Sequence, residues 1–204
     1  MTSRRQHWED VYQAKQETDV SWFQPKPELS LALIREHAPQ TNASVIDIGG
    51  GASSLAAALL GLGYRDLAVL DISSAALERA KANLGADAAK IEWIVADITA
   101  WQPQCRWQVW HDRAVFHFLT DTASQDAYIR ALNAATETGA IAIISGFAPD
   151  GPEKCSGLPV VRYDAQSLSK RIGPDFELLA EQREEHHTPG GAMQKFYYAV
   201  LRKN

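Results

Sequence analysis

The chain has 204 residues, 46% of them hydrophobic and 22% charged, with a formal net charge of −5 at pH 7. That length suits one domain with a sizeable core, and the acidic balance offers no basic surface for nucleic acid. No apolar run approaches the roughly 20 residues that a bilayer span needs. Met1–His7 is followed by no apolar stretch of the kind a secretory leader carries. Cys105 and Cys155 are too far apart to read as a metal-type pair. The expectation is a cytoplasmic protein, monomer or homodimer, with no metal, no membrane and no nucleic acid among its partners.

In chain order, residues 1–40 read as an N-terminal aromatic lid and helix, carrying Trp8, Tyr12, Trp22 and Phe23, and residues 41–204 as the sheet core of a single domain. Val45–Ile48 is a β-rich run that stops at Gly49-Gly50-Gly51. Ser53–Leu62 has helical character, with a serine near its start and Gly63 after its end. Leu67–Asp71 is a second strand, followed by a helix from Ser73 or Ser74 to Leu84 that Gly85 closes. Ile91–Val95 and Trp107–Trp110 are the third and fourth strands, Asp121–Ala135 is helical, and Ala140–Ile144 is a fifth strand. Tyr163–Arg171 reads as a helix before two closing strands, Phe176–Ala180 and Lys195–Leu201.

Such alternation predicts an α/β fold: a Rossmann-like, seven-stranded, mostly parallel sheet with helices on both faces. Near-continuous apolar strands agree, because strands covered on both faces lose the alternation of half-exposed ones. The last two strands are close enough in sequence to form an antiparallel hairpin at one edge.

Asp47, Gly49 and Gly51 form D-x-G-x-G at the carboxyl end of the first strand, where open α/β sheets bind their ligands. Glycine at 49 and 51 lets a ligand approach the backbone. A dinucleotide fingerprint would have glycine or alanine where Ser54 stands. An acid within the motif also favours a cofactor bearing an amino group over one bearing a pyrophosphate. Asp71, 20 positions beyond Gly51 (71 − 51), can accept from both ribose hydroxyls, with Ile72 beside it. Asp97 can accept from an adenine amino group while Ile98 packs on the ring. Each acid also has a plain structural reading: Asp71 could cap the helix near Ser73, and Asp97 a turn before Trp101. The three signals together, at three successive strand ends, are what carry weight.

Up to at least Ile144 these motifs resemble the class I S-adenosylmethionine-dependent methyltransferases. The resemblance implies S-adenosylmethionine as cofactor, a seven-stranded sheet whose last strand is antiparallel, and cofactor contacts at Asp47, Gly49, Gly51, Asp71, Ile72, Asp97 and Ile98. The pattern Trp8-x-x-x-Tyr12 … Ser21-Trp22-Phe23-Gln24 is similar to the aromatic entry segment of thiopurine and other small-thiol methyltransferases. A related segment occurs in lysine methyltransferases. Trp22 would then face the cofactor's sulfonium, and Tyr12 and Phe23 the acceptor. Asp112-Arg113-Ala114 is similar to the D-R-A of bacterial thiopurine-type enzymes. It makes Asp112 and Arg113 candidates for the catalytic site, with His117 as the base best matched to neutral pH. The Gly- and Pro-rich loop around Cys155 with Arg162, and the segment Glu185–Gly191 with His186, would complete a small polar acceptor site. Adjacent His186 and His187 alternate faces on an extended chain, so a shared metal is not expected. The small-molecule acceptor expected is a thiol, sulfide or similar soft nucleophile, with protein lysine as the alternative.

Overall fold

The computed structural model describes residues 3–204; Met1 and Thr2, which begin the expected N-terminal segment, lie outside the described residues. Two helices precede the sheet. In α1 (Arg4–Ala14) the Ser3 side chain accepts from the Gln6 amide, satisfying one of the orphan donors of the first turn. α2 (Glu28–His37) starts directly after Pro27, which can begin a helix but not continue one, and buries Leu33 and Ile34.

Alternating strands and helices follow: β1 (Val45–Ile48), α3 (Leu55–Gly61), β2 (Leu67–Asp71), α4 (Ser74–Leu84), β3 (Glu92–Val95), β4 (Trp107–Arg113), α5 (Thr122–Ala135) and β5 (Thr136–Phe147). After β5 come a short hairpin, β6 (Lys154–Cys155) and β7 (Leu158–Pro159), then α6 (Ala165–Ile172), β8 (Phe176–His187) and β9 (Met193–Lys203). The main sheet has seven strands in the order β3-β2-β1-β4-β5-β9-β8. β1 to β5 pair in parallel, and β9 is antiparallel to both of its neighbours. The expected architecture is the one observed.

Side-chain alternation along the strands feeds two cores. Val45, Ile143 and Val200 pack with Leu33 and Ile34 of α2 and Leu55 and Leu59 of α3. Ile46, Trp110, Ile144 and Leu201 pack on the other face with Tyr128 and Leu132 of α5 and Leu168 of α6. Strand order reverses between β1 and β4, so the two helical layers diverge there and leave a cleft at the strands' carboxyl ends.

Two boundaries differ from the sequence reading in ways that matter. β4 does not end at Trp110; pairing of Asp112 with Ile144 and Arg113 with Ser145 carries it through Arg113. Strand alternation therefore sends His111 and Arg113 to one face and Asp112 to the other. The closing hairpin is also longer, 12 residues in β8 and 11 in β9. Glu185, His186 and His187 stand opposite Lys195, Gln194 and Met193, so this segment is the end of a paired strand and not a pocket-forming loop. The expected Gly- and Pro-rich loop holds the β6–β7 hairpin, whose turn places Ser156 at φ 49° and Gly157 at φ 79°. Two successive positive φ values match the right-handed twist of a two-residue hairpin. Among the described residues, no helix is long and apolar enough to cross a membrane.

Candidate active site

The glycine turn after β1 is shaped by what crowds it. Gly49 (φ +66°) donates to the Leu70 carbonyl at 2.6 Å, and a Cβ on it would stand 2.0 Å from Val115 Cγ2. A Cβ on Gly51 (φ +44°) would stand 2.7 Å from the Tyr12 hydroxyl and 3.0 Å from Asp71 Oδ2. Both positions combine positive φ with a wall against the missing side chain, so no other residue fits without displacing a wall of the cleft.

Asp71 closes β2 beside this turn. Its Oδ1 accepts from the Ser73 amide at 2.8 Å, and the Gly51 and Ile72 amides also point to it. Burial pushes its carboxyl up to about 7 and the Asp47 carboxylate adds to that, against the lowering by the three amides. A buried carboxylate at a strand end, held by amides and short of a countercharge, is suited to accept hydroxyl donors from a ligand. Asp97 plays two parts: Oδ1 accepts from the Thr99 amide and hydroxyl at 2.9 and 2.7 Å, capping the turn, and its side chain lines the same cleft.

That cleft is open to solvent and spans about 820 Å³ with the solvent at its mouth included. One end is formed by Ile48, Gly49, Asp71, Ile72, Asp97 and Ile98 from the strand ends. The other is formed by Trp8, Tyr12 and Trp22 with Arg113, Val115, Phe118, Cys155 and Phe196. A neighbouring recess of about 630 Å³ shares Gly49, Tyr12, Trp22 and Arg113, and adds Phe23, Gln24, Ser30, Asp47, Ser54 and His111. The N-terminal aromatics are packed as a unit: Trp8 lies edge-on to Trp22 and to Phe118, with ring centroids 5.6 and 5.1 Å away.

This lid is anchored by residues that the sequence reading missed. Glu9 of α1 accepts from the Ser74 and Ala75 amides and the Ser73 and Ser74 hydroxyls at 2.7–3.1 Å, capping the N-terminus of α4 from another helix. These donors hold its carboxyl below the usual range, although burial works the other way. Arg79 of α4 reaches back to the Tyr12 and Lys15 carbonyls. A negative charge at a helix N-terminus is a recognisable device, but its supply from a residue 64 positions away leaves no local sequence signal.

The acceptor-side expectations divide. Arg113 lines both cavities; its guanidinium donates to the Tyr198 hydroxyl, the Trp22 carbonyl and Glu184, and lies 4.4 Å over the Phe196 ring. Asp112 lines neither cavity. It is fully buried, and its oxygens accept from the Val115 amide, the Phe116 amide and the Tyr128 hydroxyl at 2.7, 3.0 and 2.6 Å. Those bonds hold a turn in which Ala114 takes φ 75°, a left-handed conformation that costs an alanine about 1 kcal/mol or more. Asp112 is thus a positioning residue for the turn that carries Val115 and Phe118 into the cleft.

His117 is fully buried and lines neither cavity; its Nδ1 accepts weakly from the Phe147 amide at 3.4 Å and its Nε2 has no partner among the described residues. Burial, with Arg113 nearby, takes its pKa down to about 3. A base must reach the proton it removes, and this imidazole does not face the cleft. His186 also stands outside, its Nε2 against the Ser21 carbonyl at 2.7 Å, and Arg162 is exposed, bonded to Glu153 and the Gly151 carbonyl. Cys155 does reach the cleft, with burial pushing its thiol up to about 11. Phe23 lines the smaller recess. Among the described residues, no group of three or more His, Cys, Asp or Glu could hold a metal ion.

Residues 45–139, which span the glycine turn, Asp71, Asp97 and the β4 turn, match the methyltransferase domain family. Solved structures resemble this chain in fold over nearly its whole length. A protein studied in the conversion of a disulfide bond into a thioacetal group during echinomycin biosynthesis is 21% identical, with TM-score 0.75 over 97% of this chain and 91% of that one. An S-adenosylmethionine-dependent methyltransferase from Anabaena variabilis is 15% identical, with TM-score 0.77 over 100% and 96%. The glycopeptide N-methyltransferase MtfA, complexed with S-adenosylmethionine, is 13% identical, with TM-score 0.67 over 91% and 97%. No curated protein matches the chain.

The residues present fit S-adenosylmethionine, the molecule with which MtfA is complexed. The cleft offers an acid with unfilled acceptor capacity for a ribose, an acid and an apolar side chain for an adenine, and a cluster of aromatic faces suited to a sulfonium.

Proposed function

We propose that the chain is an S-adenosylmethionine-dependent methyltransferase acting on a small thiol, sulfide or similar soft nucleophile. The observation that carries the reading is the chemistry of the cleft's aromatic end. Among the described residues no histidine lines the larger cleft, and its two carboxylates, Asp71 and Asp97, stand at the strand ends assigned to the nucleoside. Arg113 and Arg4 are the charged groups nearest the aromatic end. Tyr12 is an unsuitable base, since burial and the Asp71 carboxylate raise its pKa. Such a pocket suits an acceptor that ionises by itself near neutral pH, and thiols do.

S-adenosylmethionine supplies an activated methyl group on sulfur. The chain supplies alignment and dryness: Trp8, Trp22 and Phe118 exclude water, and Arg113 favours an anionic nucleophile facing them. Asp71 holds the ribose, and Asp97 with Ile98 the adenine. The solved neighbour studied in the conversion of a disulfide bond into a thioacetal group supports the same reading. Lysine methylation is the less favoured alternative, because an ammonium must lose a proton before it can attack and the aromatic end offers no base.

Purified protein with S-adenosylmethionine and a panel of sulfide, methanethiol and aromatic thiols tests the proposal by gas chromatography of methylated products. A thioether product at rates above the uncatalysed background is expected. A labelled protein band from lysate with no thioether product overturns it in favour of lysine.

A further inference from the structure

The recess next to the cleft contains a buried hydrogen-bonded chain. His111 on β4 bonds through Nδ1 to Asp47 Oδ1 at 2.7 Å and through Nε2 to the Ser30 hydroxyl at 2.9 Å. All three side chains are nearly inaccessible, yet all three line the recess beside Gly49 and Gly50. The carboxylate oxygen accepts from Nδ1–H, which fixes the tautomer and leaves Nε2 to accept from the Ser30 hydroxyl. The other Asp47 oxygen, Oδ2, stands 2.6 Å from where a Cβ on Gly50 would be, at the floor of the glycine turn. An exposed carboxylate on the strand end could rotate; this one is clamped by one oxygen while the second stays directed at the turn.

We infer that the His111–Ser30 pair is a positioning device that holds Asp47 for the ammonium of the cofactor's amino-acid end. The inference rests on the cofactor assignment above. The chemistry is that of an ion pair formed in a partly enclosed recess, where a charge-assisted hydrogen bond gains strength only if the carboxylate is already oriented. His111 and Ser30 come from β4 and from α2, the helix just before β1, so the device also ties the N-terminal segment to the sheet. His111 does not touch the reacting atoms; it acts through Asp47.

The test compares two ligands by isothermal titration: S-adenosylhomocysteine, and 5′-methylthioadenosine, which keeps the nucleoside and thioether but has no amino-acid end. With His111→Leu, affinity for S-adenosylhomocysteine is expected to fall about tenfold or more, as for loss of a hydrogen bond to a charged group. Affinity for 5′-methylthioadenosine is expected to stay within about twofold. His111→Asn, whose amide nitrogen can replace Nδ1, is expected to recover most of the loss. Equal losses for both ligands, or none for either, overturn the inference and leave the cofactor assignment standing. Native protein that binds neither ligand overturns both. If His111→Leu does not fold, proton NMR of the native protein decides: the His111 Nδ1 proton, shifted far downfield by the carboxylate, should move on adding S-adenosylhomocysteine and stay fixed with 5′-methylthioadenosine. A signal that responds alike to both ligands rejects the inference.

Discussion

The Tyr128 hydroxyl of α5 donates to Asp112 Oδ2 across 2.6 Å, and neither group touches the cleft. Burial raises the Asp112 carboxyl to about 6 while its three donors pull the other way. A carboxylate with this many fixed donors is a structural node. Asp112→Ala leaves two amides and a hydroxyl buried without an acceptor, at a cost of about 3–5 kcal/mol. For a chain of this size that is a fall in melting temperature of roughly 10 °C or more, read by calorimetry. Tyr128→Phe should cost about 1–2 kcal/mol and leave cofactor affinity within about twofold. If Asp112→Ala leaves stability unchanged and abolishes turnover, Asp112 faces the substrate after all.

Asp71 titrates in the working range. Its folded pKa, about 7, lies above its ordinary 3.8. The folded state therefore binds the proton more tightly, and this group's contribution to stability is lost as pH rises from about 4 through 7. Cofactor hydroxyls that donate to the ionised form reverse that preference. Affinity for S-adenosylhomocysteine should then rise with pH by up to about tenfold per unit below 7 and level off above it. Asp71→Asn should flatten the profile and weaken binding. Titration calorimetry from pH 5.5 to 8 decides it, and an unchanged slope in the variant would falsify the assignment.

His117 carries a different pH signature. Its folded pKa of about 3 lies below its ordinary 6.5, so the unfolded chain takes up a proton that the folded chain refuses. Its stabilising contribution is complete above 6.5 and declines as pH falls toward 3. Between pH 7 and pH 5 the native protein should lose about 2 kcal/mol more than His117→Leu in denaturant titrations. The pH–rate profile of the variant should match the native one, because this imidazole takes no proton from substrate. A profile that loses a limb near neutrality would restore His117 as the base.

The aromatic lid makes a prediction about charge alone. Trp22 lines both cavities and packs edge-on against Trp8 and Tyr12. If these faces meet the sulfonium, Trp22→Ala should weaken S-adenosylmethionine more than the uncharged S-adenosylhomocysteine. The difference should be about 0.5–2 kcal/mol, the usual value of a cation over an aromatic ring. Equal losses for the two ligands would show that Trp22 closes the cleft without sensing charge.

By itself the sequence determined the sheet, its helices and the glycines and acids at the strand ends, because those depend on local signals. Asp47, Gly49, Gly51, Asp71 and Asp97 stand where a strand ends, and a strand end can be read from a run of β-branched residues stopped by glycine or acid. Tertiary structure decided the acceptor end. Whether Asp112 faced the cleft or the core depended on β4 continuing three residues past Trp110, and pairing with β5 fixed that. Glu9 reaching α4, and Ser30 and Asp47 meeting at His111, join side chains 64 to 81 positions apart. Hydrophobic periodicity records which face an element buries, but it carries no information about which distant polar group will be waiting there.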